Sequence, residues 1–204
     1  MLHGPPEPSL SESQSEGQQE EESQLATDTK AEVQAVSNQP FKSDPMDVKT
    51  FNIGEGMMTD TKAIFHAEGY QTGMAFGMVE IIWQHGDATA PHVHKLEDEG
   101  FFMLEGELTL HLPGRISVVA RKGEFVWAPR DMPHYYQVTG KDGARVLVME
   151  VPGGSLMTFF RGVAEGMGSD ISTDEKLNEF AEWSDDNFGI KFFEADHDFG
   201  TPEW

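Results

Sequence analysis

The chain has 204 residues, a formal net charge of −22 at neutral pH and no cysteine. This charge argues against nucleic acid and membrane surfaces as partners, because phosphate backbones and anionic headgroups would be repelled. The lack of cysteine excludes disulfides and thiolate chemistry. No apolar run approaches the ~20 residues that span a bilayer, and the N-terminus lacks the pattern of a signal peptide, so we expect a cytoplasmic protein.

Residues 1–45 differ in composition from the rest of the chain. They are rich in Ser, Gln, Glu and Pro and poor in large apolar residues. Such a segment buries too little apolar surface to offset its conformational entropy. We therefore predict a disordered acidic tail over residues 1–45, a folded domain over 46–153 and an extension over 154–204.

The middle of the chain contains short apolar or alternating runs separated by Gly, Pro and Asp. They predict strands over residues 74–84, 100–104, 107–112, 116–120, 124–128, 134–138 and 146–151. Many short strands, with no long helical pattern between them, favour an all-β sandwich or barrel. Closure of such a barrel also protects the strand edges.

The C-terminal extension carries helical signals. Residues 156–163 are compatible with one helix. A second helix is predicted after Ser172, because Ser172 and Glu175 form a capping box and apolar residues then recur at helical spacing. Gly189 marks its end. We expect a short helical extension that packs on the outside of the barrel.

Four potential metal ligands stand at an informative spacing: His92, His94, Glu99 and His134. Alternate residues of a strand share a face, so His92 and His94 point the same way. The charged residues 95–98 predict a turn before Glu99, and His134 comes from another strand. Three imidazoles and one carboxylate suit a divalent first-row metal with open positions for a substrate. The chain is therefore predicted to be a metalloenzyme.

These residues also resemble the two sequence motifs of the cupin family. The first motif is matched by Gly86, His92, His94, Glu99 and Gly106. The second is matched by Gly123, Pro129 and His134. It departs from the family pattern at Asp131 and Val138, where glycine and asparagine are usual, although Asp tolerates the left-handed conformation that such a turn needs. The resemblance implies a cupin fold, which is a double-stranded β-helix or jelly-roll barrel.

A finer resemblance links the chain to single-domain relatives of quercetin 2,3-dioxygenase. It is carried by the stretches HVHKLEDEGFFMLEGELTLHL, VPGGSLMTFFRGVAEG and WSDDNFGIKFF. It implies a metal-dependent dioxygenase that cleaves a flavonol-like or other enolisable aromatic or polyketide substrate with O₂. Glu99 would then be both a metal ligand and the catalytic base.

Two other functions stay open. One is an O₂-independent isomerase, lyase or cyclase of secondary metabolism, in which the metal is only a Lewis acid. The other is a ligand-binding cupin without enzymatic activity. The metal would be Fe, Mn, Ni or Co, with Zn as a further option, because affinity alone does not select among them. The expected partner is a small-molecule substrate, and analogy with other cupins suggests a homodimer.

Strand alternation also predicts the lining of a substrate pocket, from side chains that share a face with Glu99 or His134. The predicted lining residues are Phe76, Met78, Phe101, Met103, Tyr136 and Val138. Trp127 is expected in the core. The acidic neighbours of the ligands, Glu97 among them, are expected to form a rim in solvent.

Overall fold

The computed structural model describes residues 40–44, 48–53, 58–112, 116–166 and 173–193. The tail predicted over residues 1–45 lies outside this part of the chain, apart from residues 40–44. The strands are β1 (Val48–Ile53), β2 (Met58–Ala67), β3 (Gly77–Trp83), β4 (His92–His94), β5 (Asp98–Leu112), β6 (Ile116–Arg121), β7 (Phe125–Ala128), β8 (Tyr135–Val138), β9 (Ala144–Val151) and β10 (Ile190–Phe192). The helices are α1 (Leu156–Ala164) and α2 (Asp174–Phe188), with a 3₁₀ helix over Gly69–Thr72.

The long strand β5 joins two antiparallel layers. Its first half lies between β9 and β7, and its second half lies between β6 and β8. The first layer continues from β9 through β3 and β2 to β1. Gly106 lies where β5 passes from one layer to the other, at φ +78°, and any side chain there would collide with the carbonyl of Gly143. The predicted all-β jelly roll is therefore confirmed.

The strand bounds differ most from the prediction at two places. The runs over 100–104 and 107–112 form one continuous strand, because β5 bends at Gly106 without breaking. Strand β3 begins at Gly77 instead of residue 74. The chain before β3 is not extended, because Gly69–Thr72 is a 3₁₀ helix and both Gly73 and Met74 have positive φ.

Strands β1 and β2 were not predicted. From Thr61 onward β2 alternates buried and less buried positions, but its inward positions include the small residues Thr61, Ala63 and Ala67. Small residues give a weak hydrophobic signal in the sequence, so the alternation of β2 was not recognised. Its pairing with β3 is a contact between separate segments, which no local pattern shows.

The core lies between the two layers. Its largest fully buried side chains include Trp83, Ile81, Phe101, Met103 and Leu108. The expectation that Trp127 belongs to it is wrong, because Trp127 is 40% exposed and packs against Phe125 on the outer face. Ala128 takes the inward position at this end of β7.

The C-terminal extension packs on the barrel and returns to it. Helix α1 contacts β1 and β3, and α2 contacts α1 and β10. Thr173 caps α2, accepting from the backbone N–H of Lys176 at 3.3 Å, so the cap lies one residue after the predicted Ser172, which is outside the described residues. The helix ends at Gly189, as predicted, and Gly189 adopts the left-handed conformation. No helix in the described part of the chain is long and apolar enough to cross a membrane.

We expect Phe180→Ala to lower the free energy of unfolding by about 3–5 kcal/mol, the usual cost of removing a buried phenyl ring. Phe180 is 5% exposed, and its ring lies 5.6 Å from that of Phe192 and 5.8 Å from that of Trp183. Leu177→Ala on the same helix is the matched control, because Leu177 is 38% exposed and should change stability by no more than ~0.5 kcal/mol. Urea unfolding of both variants checks this. Equal effects would mean that α2 does not pack as described.

Candidate metal centre

The fold brings the four predicted ligands to one place. His92 and His94 lie on β4, Glu99 lies near the start of β5, and His134 immediately precedes β8. The backbones of His92 and His134 bond to each other in both directions, at 2.9 and 2.8 Å. The four side chains are at most 5% exposed. Each offers a ligand atom, and these atoms all lie within 4.8 Å of one another.

Two of the three imidazoles are oriented by backbone carbonyls. The Nδ1 atom of His92 lies 2.8 Å from the carbonyl oxygen of Ala90, and that of His134 lies 3.0 Å from that of Met132. A carbonyl only accepts, so Nδ1 carries the proton, and in a neutral ring Nε2 keeps its lone pair. Burial, and then the charges of His134 and His94, lower the pKa of His92 well below its usual range, so this ring is neutral at pH 7.

The carboxylate of Glu99 faces two of these rings. Its Oε2 atom lies 3.2 Å from Nε2 of His134 and 3.4 Å from Nε2 of His94. Burial raises the pKa of Glu99, but His94 and His134 more than offset burial and hold this pKa well below its usual range. Three imidazoles and one ionised carboxylate thus converge on one buried point. Neutral imidazoles and a carboxylate are a ligand set that divalent first-row metals bind, so the four residues fit a divalent metal.

Glu97 is buried beside the ligands, contrary to the expected solvent rim. Its side chain is 3% exposed, and its Oε2 atom lies 3.9 Å from Nδ1 of His94. A backbone N–H of Ser155 donates to it. Burial, and then the charges of Glu150 and Glu99, raise the pKa of Glu97 to about 8. The chain bends at Lys95 and Leu96, whose side chains are exposed, and this bend turns Glu97 inward.

Glu150 is a second buried carboxylate that the sequence analysis did not single out. It lies directly opposite Glu99 across the β5–β9 pair and is 0% exposed. It accepts from the backbone N–H groups of Gly154 at 2.9 Å and Leu156 at 2.6 Å. On the other side of β9, Gly77 of β3 lies directly opposite Glu150. Any side chain at this position would collide with the Glu150 carboxylate. A charged residue at an inward position of the alternating strand β9 was the signal available in the sequence.

Four of the six predicted pocket residues face the interior. The ring of Phe101 lies 6.4 Å from that of His134, edge to face. Tyr136 packs between Phe101 and Trp83, at centroid distances of 5.5 and 4.7 Å. Met103 and Val138 are also buried, at 0% and 1% exposure. Their contact with a substrate stays a prediction.

The two remaining pocket residues, Phe76 and Met78, are only partly buried. Met78 is on the outer face of the sheet, because Val79 and Ile81 take the inward positions of β3. Phe76 precedes β3, in a turn that is held by hydrogen bonds to the Thr72 hydroxyl. Sequence alone did not show which face of β3 is the inner one.

One aromatic neighbour of the site was missed. Strand β10 pairs with β4 and places the ring of Phe192 5.6 Å from that of His92. The two residues are 100 positions apart in the sequence. No local pattern predicts that this segment returns to the ligand strand.

We expect the metal-free protein to lose stability as the pH rises from about 6.5 to 8. The folded state keeps a proton on Glu97 up to a pKa of about 8, whereas the unfolded chain releases it near 4.5. This contribution is complete below 4.5 and is lost as the pH rises to about 8, at no more than ~1.4 kcal/mol per pH unit. His92 acts in the opposite direction, but only below its ordinary pKa of 6.5.

Urea unfolding of the metal-free protein at a series of pH values measures this slope. Glu97→Gln should flatten it, because the amide does not titrate. The control is Glu105→Gln at an exposed position, which should keep the wild-type slope. A Glu97→Gln variant with an unchanged slope would contradict the assignment.

Comparison with known proteins shows which family the domain resembles. Residues 79–150 match the family model of the cupin domain. A stretch of 72 residues is 36% identical to quercetin 2,3-dioxygenase of Bacillus subtilis, and it covers 35% of this chain and 21% of that protein. The chain therefore matches about a fifth of the length of this curated relative.

Two solved structures are also similar. A polyketide cyclase from Streptomyces resistomycificus shares 23% identity at a TM-score of 0.46, over 55% of this chain and 80% of that chain. A predicted oxalate decarboxylase from Thermotoga maritima shares 15% identity at a TM-score of 0.47, over 55% of this chain and 99% of that chain. From the family match and the jelly-roll topology, the chain contains a cupin domain, and it resembles the quercetinase-like members of that family.

Proposed function

We propose that the protein is a metal-dependent cupin dioxygenase that cleaves a flavonol-like or other enolisable aromatic or polyketide substrate. The observation that carries the proposal is the buried convergence of His92, His94, Glu99 and His134. The local similarity to quercetin 2,3-dioxygenase supports the choice of reaction.

The charge of the centre favours an anionic substrate. Three neutral imidazoles and one carboxylate would leave a divalent ion with a net charge of about +1. A deprotonated hydroxy-ketone would neutralise this charge and bind through two oxygens. The rings of Phe101 and Phe192 lie beside His134 and His92 and offer apolar surfaces that suit a planar aromatic group.

The chain's own residues have separate roles in this reaction. A bound Fe, Mn, Ni or Co ion would supply activation of a coordinated hydroxyl and, with O₂, the oxidative chemistry. Glu99 is the carboxylate among the four converging residues, so we assign it the role of accepting the proton of the substrate hydroxyl. The carbonyls of Ala90 and Met132 hold His92 and His134 with Nε2 towards the centre, which keeps both rings ready to bind.

Oxygen consumption tests the proposal. The protein is loaded in turn with Fe(II), Mn(II), Ni(II), Co(II) and Zn(II), and each form is screened against flavonols and other enolisable aromatics with an oxygen electrode. We expect at least one form to consume one O₂ per substrate and to stop under nitrogen. Turnover that continues without O₂ would replace the dioxygenase with an isomerase, lyase or cyclase. Metal and ligand binding without turnover would indicate a binding protein.

A further inference from the structure

We propose that Glu97 is a positioning residue of the metal centre. In this role it accepts a hydrogen bond from Nδ1–H of His94 and links that ligand to the start of helix α1. The inference rests on the proposed metal centre, and it adds a carboxylate outside the four ligands.

His94 differs from the other two histidines in its surroundings. The Nδ1 atoms of His92 and His134 each have a backbone carbonyl as partner. Nδ1 of His94 is buried and has no hydrogen-bond partner in the described part of the chain. The same holds for Oε2 of Glu97, and these two atoms are 3.9 Å apart. Buried polar atoms without partners are rare, so two that face each other indicate a bond that forms in another state of the protein.

Metal binding would provide that state. Nε2 of His94 points at Glu99, 3.4 Å away, on the side where the four ligand atoms converge. If Nε2 binds a cation, the imidazole proton must be on Nδ1, and a buried Nδ1–H needs an acceptor. The 3.9 Å gap to Glu97 is too long for a hydrogen bond. A shift of less than ~1 Å by either side chain would close it to ordinary hydrogen-bond length.

Glu97 also has a hydrogen-bond partner at the start of helix α1. A backbone N–H of Ser155, at the N-cap of helix α1, donates to its carboxylate. The neighbouring Glu150 accepts from Gly154 and Leu156 at the same helix end. Two buried carboxylates therefore anchor the start of α1, and of the two it is Glu97 that faces a histidine ring. Docking of α1 thus fixes the position of Glu97, and Glu97 fixes the tautomer and orientation of His94.

The variant Glu97→Gln separates this role from simple packing. When it is ionised, the carboxyl group of Glu97 can accept on both oxygens, whereas an amide can accept only on one. The glutamine can therefore serve either Ser155 or His94, but not both. Glu150→Gln is the matched control, because it loses one acceptor for the same helix end and leaves the acceptor of His94 in place. Glu97→Asp keeps two acceptor oxygens and serves as the rescue variant.

Two measurements are made on the full-length protein. The affinity for Zn(II) is measured by competition with a chelator. Proton–nitrogen NMR of the zinc-loaded, ¹⁵N-histidine-labelled protein then reports the Nδ1–H signal of His94. We expect Glu97→Gln to bind Zn(II) roughly 10- to 100-fold more weakly, because this is the usual effect of removing the hydrogen-bond partner of a metal ligand. We also expect the variant to lose or shift the Nδ1–H signal. Glu150→Gln should keep the wild-type Nδ1–H signal and lose less affinity than Glu97→Gln, and Glu97→Asp should recover part of the affinity.

Three outcomes overturn the inference, and they are distinguishable. If the wild type binds no Zn(II), the metal centre itself is wrong, and this role fails with it. If the wild type and Glu97→Gln bind equally, with the same Nδ1–H signal, the role of Glu97 alone is wrong. If Glu97→Gln and Glu150→Gln weaken binding equally while the signal stays unchanged, Glu97 only supports the helix.

Discussion

Replacing His134 with alanine is expected to remove most of the bound metal while the barrel stays folded. His134 is 1% exposed and offers Nε2 to the centre, and its Nδ1 is held by Met132. Loss of the hydrogen-bond partner of a metal ligand already lowers metal affinity roughly 10- to 100-fold, so loss of the ligand itself should lower it more than ~100-fold. The fold should survive because the core between the two layers, and not the metal, stabilises a domain of this size.

Elemental analysis of the purified variant measures the metal content, and circular dichroism measures the fold. His94→Ala should behave in the same way. His85→Ala is the control, because His85 is exposed and bonds only to the carbonyl of Gly140 among the hydrogen bonds of the described residues. A His134→Ala protein with as much bound metal as wild type would disprove the ligand assignment.

Glu99→Gln is expected to lower turnover by ~10²–10⁴, the usual contribution of a general base, while much of the metal is retained. The amide has the size of the carboxylate and keeps one oxygen that can bind a cation, but it cannot take up the substrate proton. Turnover in air and under nitrogen, together with the metal content of the variant, separates the two roles of Glu99. Glu105→Gln, at an exposed position of the same strand, should be fully active.

Full activity of Glu99→Gln would leave Glu99 as a ligand only. The base would then have to be another group, and the interior offers few. Burial raises the pKa of the Tyr136 hydroxyl well above its usual range, so this residue is a poor proton acceptor at neutral pH. Activity that persists under nitrogen would instead point to Lewis-acid chemistry at the same four ligands.

The sequence by itself determined the fold class and the four residues that converge in the interior as candidate ligands. His92 and His94 share a face because strands have a period of two, and this period is local. The same argument correctly placed Phe101 and Tyr136 in the interior, because each follows a ligand by two residues on the same strand or its immediate extension. Turn residues between short apolar runs were enough to indicate an all-β barrel.

Only the tertiary structure decided what surrounds the ligands. Glu97 belongs to a charged run that resembles a solvent-exposed turn, and its burial depends on helix α1, which begins about 60 residues later. Phe192 reaches His92 only because β10 pairs with β4. Met78 was placed on the wrong face because alternation defines two faces but not which one meets the opposite layer. A local pattern encodes how a side chain alternates along its own strand, whereas burial and neighbours depend on which distant segments pack against that strand.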